Sequence, residues 1–171
     1  MVVAKEELEG FTGVQFETGN NIADLFIGAA QNIVENYLGY EVESKEYIKH
    51  FSLHSSNVIK CGVKNITAVS EISVDGTPVP VDNYYIDDDK IILKQPVISD
   101  NIIITFTAGF STDLPDIIKL TVLRIAALLQ TESNNNIGIS GKSSFIDGSR
   151  TFMNFTNYDK YLISCSKYKL I

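Results

Sequence analysis

The spacing of apolar residues changes twice along the chain, and those two changes limit the folds open to it. Ile22, Leu25, Phe26, Ala29, Ala30, Ile33, Val34, Tyr37 and Leu38 recur at three- and four-residue steps, the spacing of a helical face. Asn20 and Asn21 precede the run as N-cap candidates, Asp24 lies in the first turn where a carboxylate suits the helix dipole, and Gly39 stops it. From Glu43 the period shortens. Tyr47, Ile48, Phe51 and Leu53, then Val58 and Ile59, then Ile66, Val69, Ile72 and Val74 read as short strands divided by turn residues. Asp75-Gly76 ends one run in a predicted hairpin turn, and Asp87-Asp88-Asp89 separates Tyr84-Tyr85-Ile86 from Ile91-Ile92-Leu93 in a second. Ile102 to Phe106 adds a further strand before Ala108-Gly109 lets the chain leave the sheet. Helical spacing returns from Leu114 to Gln130, with Thr112 or Asp113 as cap and Pro115 near the first turn. Only Lys119 and Arg124 are charged in its interior, so this is predicted to be a central helix buried on several sides.

These periods predict an α+β fold: a small helix bundle with an inserted antiparallel β-sheet region and a C-terminal tail helix. Residues 1–132 form the expected core domain, with helix 20–38, strands within 43–108 and helix 114–131. The stretch 133–149 is rich in Asn, Gly and Ser and has no stable period, which predicts a flexible or interface-forming loop. Residues 150–171 follow as an amphipathic docking tail, in which Tyr158, Tyr161, Leu162, Cys165 and Tyr168 share a stripe beside Lys160, Lys167 and Lys169. The candidate assembly interface is Phe152, Phe155, Tyr158, Lys160, Tyr161, Leu162, Lys167, Tyr168 and Lys169. No internal repeat or low-complexity tract occurs.

A chain of 171 residues is the size of one compact domain, which leaves no room for separate catalytic and cofactor domains. Its net charge of −7 argues against a nucleic-acid-binding face built on phosphate contacts. That charge is uneven: residues 1–141 hold nine Lys or Arg against nineteen Asp or Glu, and residues 142–171 hold five against two, or −10 followed by +3. Such a block is either a solvated helix face or a tail that meets the acidic body of another protein or another copy. Two cysteines, Cys61 and Cys165, fit reduced thiols better than a disulfide scaffold. The opening Met1–Gly10 carries three glutamates and no apolar run, so neither a signal peptide nor a membrane span is expected there, and the chain reads as intracellular.

Each candidate for chemistry lacks part of what the chemistry needs. Asn136-Ile137-Gly138-Ile139-Ser140-Gly141-Lys142-Ser143 ends like a phosphate-binding loop. Asn136, however, stands where the first glycine belongs, and the segment follows a helix rather than a strand, so a polar loop is the better reading. His50 and His54, with Cys61 as a third ligand, have no recognised metal spacing. No nucleophile elbow accompanies either histidine. The three aspartates at 87–89 lack the rest of a calcium loop and read as a charged hairpin tip that discourages edge pairing. Asn65-Ile66-Thr67 and Asn154-Phe155-Thr156 match glycosylation sequons, which are idle without secretion. No catalytic residue, cofactor or metal is expected. One alternative from composition alone is a small intracellular ligand-binding or regulatory domain without catalysis.

A set of short phrases, taken in order, carries a resemblance. A helix ends at Asn36-Tyr37-Leu38-Gly39, the strands contain Val74-Asp75-Gly76 and Tyr84-Tyr85-Ile86-Asp87, and Phe106-Thr107-Ala108-Gly109-Phe110 precedes Leu114-Pro115-Asp116-Ile117-Ile118-Lys119. Over about residues 20 to 130 this order resembles the head-to-tail connector (adaptor, head-completion) family of tailed bacteriophages. Where that family commonly ends its second helix in a Tyr-Glu-Asn-Arg-like phrase, this chain has Leu129-Gln130-Thr131-Glu132. The resemblance implies a non-enzymatic virion protein assembled in the bacterial host cytoplasm. It implies a homo-oligomeric ring, commonly a dodecamer, beneath the portal protein, joined to a downstream connector or tail-terminator protein. DNA would pass through the ring without specific binding, and no membrane would be involved.

Overall fold

The computed structural model describes residues 1–17, 19, 21–133, 139–142, 150–152 and 158–170. They form two compact units, a helical one built on Met1–Leu38 and Leu114–Lys169 and a sheet unit built on Gly39–Asp113. The architecture is α+β with an antiparallel sheet and a C-terminal helix, as the change of period predicts.

In the helical unit, α1 (Lys5–Thr12), α2 (Ile22–Leu38) and α3 (Asp116–Thr131) pack on one another. The first of these has no counterpart in the apolar pattern, which marks only an acidic lead. What makes it a helix is its ends: the Glu7 carboxylate accepts the Ala4 N–H at 2.9 Å, and Gly13, at φ +70°, donates its N–H to Glu9. Leu8 is its one buried residue. Glu7 also pairs with Lys119 of α3, and that hydrogen bond, with the one from Ala4, holds its carboxyl below the usual value. A depressed carboxyl contributes stability above its unfolded pKa of about 4.3, and the contribution disappears as pH falls through the depressed value. Acid titrations of the wild type and of Glu7→Gln should therefore diverge near neutrality and converge at the acid end.

The stop at Gly39 stands where expected, at φ +87°. The buried face of α2 is Ala23, Ile27, Ala30, Val34 and Leu38, turned from the stripe that spacing suggests, and Leu25 is 67% exposed. The helix is apolar on more than one side, so periodicity alone does not choose the inward one. In α3 the charged interior positions are few because Ile118, Thr121, Val122, Ile125, Ala126 and Gln130 are all buried. Its cap differs from expectation. Pro115 is the N-cap, its carbonyl accepting the N–H groups of Ile118 and Lys119, and the Asp113 carboxylate instead accepts the N–H of Ser111. A residue before proline is kept out of the helical region, so the helix cannot begin at Thr112 or Asp113.

The sheet unit contains β1 (Lys45–Lys60), β2 (Ile66–Val74), β3 (Thr77–Pro78), β4 (Tyr84–Asp87) and β5 (Lys90–Ala108). The order is β1-β5-β2-β3, with β4 also on β5, and every pairing is antiparallel. The runs that read as separate short strands are two long ones. Polar stretches at 52–57 and 99–101 interrupt the apolar pattern without ending the strands: β1 takes register shifts between Phe51 and Val58, with Ser55 at φ +60°. At the second interruption Ser99 Oγ donates to Asp75 and accepts the N–H of Asn101. Ile102, Ile104, Phe106 and Ala108 face inward along β5. Asp75-Gly76 makes the predicted tight turn, both residues at positive φ, between the pairs Val74 with Thr77 and Ser73 with Pro78.

The aspartates at 87–89 do more than charge a hairpin tip. Asp88, at φ +48°, accepts the Asn65 N–H on its carboxylate and the Ile66 N–H on its carbonyl, while the Asp89 carbonyl accepts the Cys61 N–H. Lys64 lies 3.5 Å from the Asp88 carboxylate. The tip thus fixes the turn that starts β2.

In the stretch expected to be a loop lies β6 (Ile139–Lys142), which pairs antiparallel with β7 (Arg150–Phe152) at the start of the expected docking tail. The chain closes with α4 (Asp159–Leu162) and a 3-10 segment, Ile163–Tyr168. No helix among the described residues is long and apolar enough to cross a membrane.

Candidate functional site

The tail divides its residues between two tasks. Leu162 and Cys165 are buried, and α4 and the 3-10 segment pack on α3, the 3-10 segment also on α2. Cys165 Sγ lies 3.2 Å from Thr121 Oγ1, which donates to the Ile117 carbonyl at 2.7 Å. Ser164 Oγ is 3.3 Å from the same hydroxyl. This half of the predicted stripe completes the helical unit, because so short a helix holds in water only by packing.

The aromatic residues lie at the margin, each half-buried. Tyr158 places its hydroxyl 3.5 Å from Glu132; burial first, and then the charge of Glu132 and that hydrogen bond, push its phenol pKa up. Tyr161 lies between two cations, with Lys160 Nζ 4.8 Å and the Arg124 guanidinium 5.6 Å from its ring centre. Lys167 Nζ is 4.6 Å from the Tyr168 ring, and Lys169 Nζ is 4.9 Å from the ring of Tyr37. All three lysines are exposed. Such contacts lay the stems along aromatic faces and leave the charges in water. Ile163, 63% exposed between Lys160 and Lys167, belongs to this outer face. Its helical position is off the aromatic stripe, which is why apolar spacing passes over it.

The tail therefore leaves Lys160, Ile163, Lys167 and Lys169 exposed, with Asp159 beside Lys160, as a net-basic outer ridge over an inner layer that belongs to the fold. Phe152 contributes backbone to β7. Phe155 lies outside the described residues, as do Asn20, the sequon at 154–156, and 136–138 and 143–149 of the stretch around Lys142.

The other candidates do not converge. His50 and His54 are exposed on β1, where His54 Nε2 lies 3.8 Å from the carboxylate of Asp100, whereas Cys61 is buried. Among the described residues no group of three His, Cys, Asp or Glu side chains is placed to hold a metal. Burial pushes the Cys61 thiol up to about 11, and Cys165 is likewise buried. A maleimide at pH 8 should label neither cysteine in the folded protein and both in denaturant, because a buried thiol is out of the reagent's reach and, at Cys61, the raised pKa also withholds the thiolate. Rapid native labelling of Cys61 would show that strand β1 opens readily there.

Comparison with known proteins agrees with this geometry. A chain in the neck of an empty gene transfer agent particle, computed with C6 symmetry, is 14% identical, with a TM-score of 0.64 over 99% of this chain and 90% of that one. A chain of the native gene transfer agent virion is 14% identical, with a TM-score of 0.65 over the same shares. A chain in the native neck computed with C12 symmetry is 13% identical, with a TM-score of 0.63 over 97% and 87%. At these identities the likeness is one of fold. No curated protein sequence matches. The family model of head completion proteins matches residues 3–155, spanning both the helical bundle and the inserted sheet, and the chain belongs to the head completion protein family.

Proposed function

We propose that the chain is the subunit of a ring that completes a DNA-filled phage-like head, seated beneath the portal and offering a surface to the next connector or tail protein. The family match over residues 3–155 carries this reading and makes the chain a structural virion protein. The related folds occur in particle necks computed with C6 and C12 symmetry, which supports a ring of repeated copies, twelve being the expected number. The protein works by assembly, without catalysis or a cofactor. An acidic body, −10 over residues 1–141, suits a passage that DNA crosses without sticking.

In this reading the basic ridge of the tail is an assembly contact, with Tyr158, Tyr161 and Tyr168 as its aromatic margin. Lys160→Glu, Lys167→Glu and Lys169→Glu together should weaken assembly and make its salt dependence shallower, since complementary charge is screened by salt. The direct test is to silence the gene in cells that produce the particle. DNA-filled heads without tails, restored to tailed particles by a supplied copy, are expected. Tailed particles that keep their DNA in its absence would refute the role.

A further inference from the structure

The sheet unit leaves one face of β1, β5 and β2 open. Burial alternates along β5 from Ile102 to Ala108, which turns Ile103, Thr105 and Thr107 outward. Register sets their neighbours: Ile48 and Glu71 pair with Thr105 from either side, and Glu46 and Ala68 pair with Thr107. Side chains that stand opposite one another in an antiparallel sheet point to the same side, so these residues form one surface. Ile48 is 66% exposed on it, and Glu46, Ala68 and Glu71 are exposed as well. The charges of this surface are acidic, with His50 the next residue of the β1 row. Neither Glu46 nor Glu71 is ion-paired among the described residues. The nearby lysines of β1, Lys45 and Lys49, lie over the Tyr47 ring, which stacks on the buried Phe106 on the other side of the sheet.

The tail ridge has the complementary character. Ile163 is 63% exposed, Lys160 and Lys167 are exposed before and after it, and Asp159 is the one carboxylate side chain between residues 158 and 170. Neither of these lysines is ion-paired among the described residues; each lies against a tyrosine ring. The spacings agree too. Glu46 and Glu71 are two strands and two residues apart, about 12 Å at ordinary strand dimensions. Lys160 and Lys167 are also about 12 Å apart, at the rise of a short α-helix continued by a 3-10 segment. Both isoleucines keep more than half their surface exposed, so neither surface is covered by the chain that carries it. We infer that the ridge of one copy, Lys160, Ile163 and Lys167, seats on the open sheet face of the next, Glu46, Ile48 and Glu71, as the repeating contact of the ring. Apolar contact at the centre keeps water out, and the opposite charges around it fix the register. Two unlike surfaces meeting head to tail give a heterologous contact, the kind that closes into a ring. This inference rests on the ring reading above and names its contact.

Cysteine cross-linking of the full chain tests it, because Ile48 and Ile163 are exposed and the native Cys61 and Cys165 are buried. Ile48→Cys and Ile163→Cys would be purified separately, assembled with the portal protein, and treated with a short bis-maleimide. Each variant alone should stay unlinked, and an equal mixture should give linked dimer at several times that background. A charge exchange reads the same contact without cysteine. Glu46→Lys with Glu71→Lys should cut the yield of rings several-fold, and adding Lys160→Glu with Lys167→Glu to the same chain should restore it. Should either cysteine variant fail to assemble, the charge exchange decides alone. Rings that form without any 48-to-163 link, or a charge reversal that the exchange does not rescue, would overturn this contact and leave the ring reading intact. Linked dimer from Ile48→Cys alone would overturn it in favour of a symmetric contact between sheets. Protection of the Ile48→Cys thiol by the portal without linkage would overturn it in favour of the portal as occupant. Failure of the wild type to form rings under any condition would remove both the contact and the reading on which it rests.

Discussion

Gly109→Ala is expected to lower the stability of the sheet unit by about 3 kcal/mol or more, which for a chain of this size is a fall in Tm of about 6–12 °C. Gly109 has φ +102°, outside the range that a residue with a Cβ adopts easily. An added Cβ would also stand 2.4 Å from the Glu43 carbonyl oxygen and 2.7 Å from its carbon, backbone atoms that cannot rotate away. The crowding is structural: Glu43 bridges to Phe110, the Ser44 N–H donates to the Phe110 carbonyl, and Asn65 Nδ2 donates to the Gly109 carbonyl at 2.8 Å. The Gly109 N–H in turn reaches the carbonyls of Lys64 and Asn65. One glycine thus joins the entry to β1, the turn before β2 and the exit from β5. Gly10→Ala is the control, since nothing lies within 4 Å of its added Cβ and helix α1 gains propensity. Thermal melts in which the two variants match would contradict this account of residue 109.

Leu162→Ala is expected to cost the helical unit about 2–5 kcal/mol, the usual range for emptying a buried leucine site. Leu162 is 7% exposed, on the short helix that packs on α3, and its neighbour Cys165 is fully enclosed. Lys160→Ala, at an exposed position, should stay within about 0.5 kcal/mol of wild type. Removing residues 158–171 should cost more than Leu162→Ala, because it uncovers the part of α3 around Thr121 as well as deleting Leu162. Helical ellipticity followed with temperature reads both effects. A truncated chain that melts like wild type would show that the tail is only laid on the bundle, and the packing of Leu162 and Cys165 would then contribute nothing.

Much of the fold was legible in the sequence because its elements are long and their periods differ. Helix α2 stops at Gly39, the Asp75-Gly76 turn is where a two-residue hairpin needs positive φ, and the burial of α3 follows from its near absence of charge. Other features were not legible, each for a physical reason. Helix α1 depends on Glu7 capping and on Lys119, which is distant in sequence, rather than on an apolar stripe. Strands β1 and β5 continue through polar segments because bulges and side chains such as Ser99 satisfy the backbone there. The inward side of α2 is set by tertiary packing, since both of its candidate faces are apolar.

The tail was half legible. Its stripe was visible as a period, yet period does not say whether the stripe meets its own core or a partner, and Leu162 and Cys165 meet the core. The ridge of Lys160, Ile163, Lys167 and Lys169 is left outside by that packing, so the charge asymmetry is the signal that survives as a surface feature. The Phe106-Thr107-Ala108-Gly109-Phe110 phrase, one of the ordered set behind the resemblance, acquires a physical meaning. Phe106 and Ala108 are fully buried, and Gly109 occupies a position that a Cβ cannot share with Glu43.

The central claim is that this chain works as a closed ring at the portal, and its most direct test is native mass spectrometry of the full chain with and without its portal protein. The account predicts one closed assembly of fixed copy number, twelve chains on the portal, and its loss when Lys160, Lys167 and Lys169 are all replaced by glutamate. A chain that remains monomeric at every concentration, and that adds no mass to the portal, would contradict it.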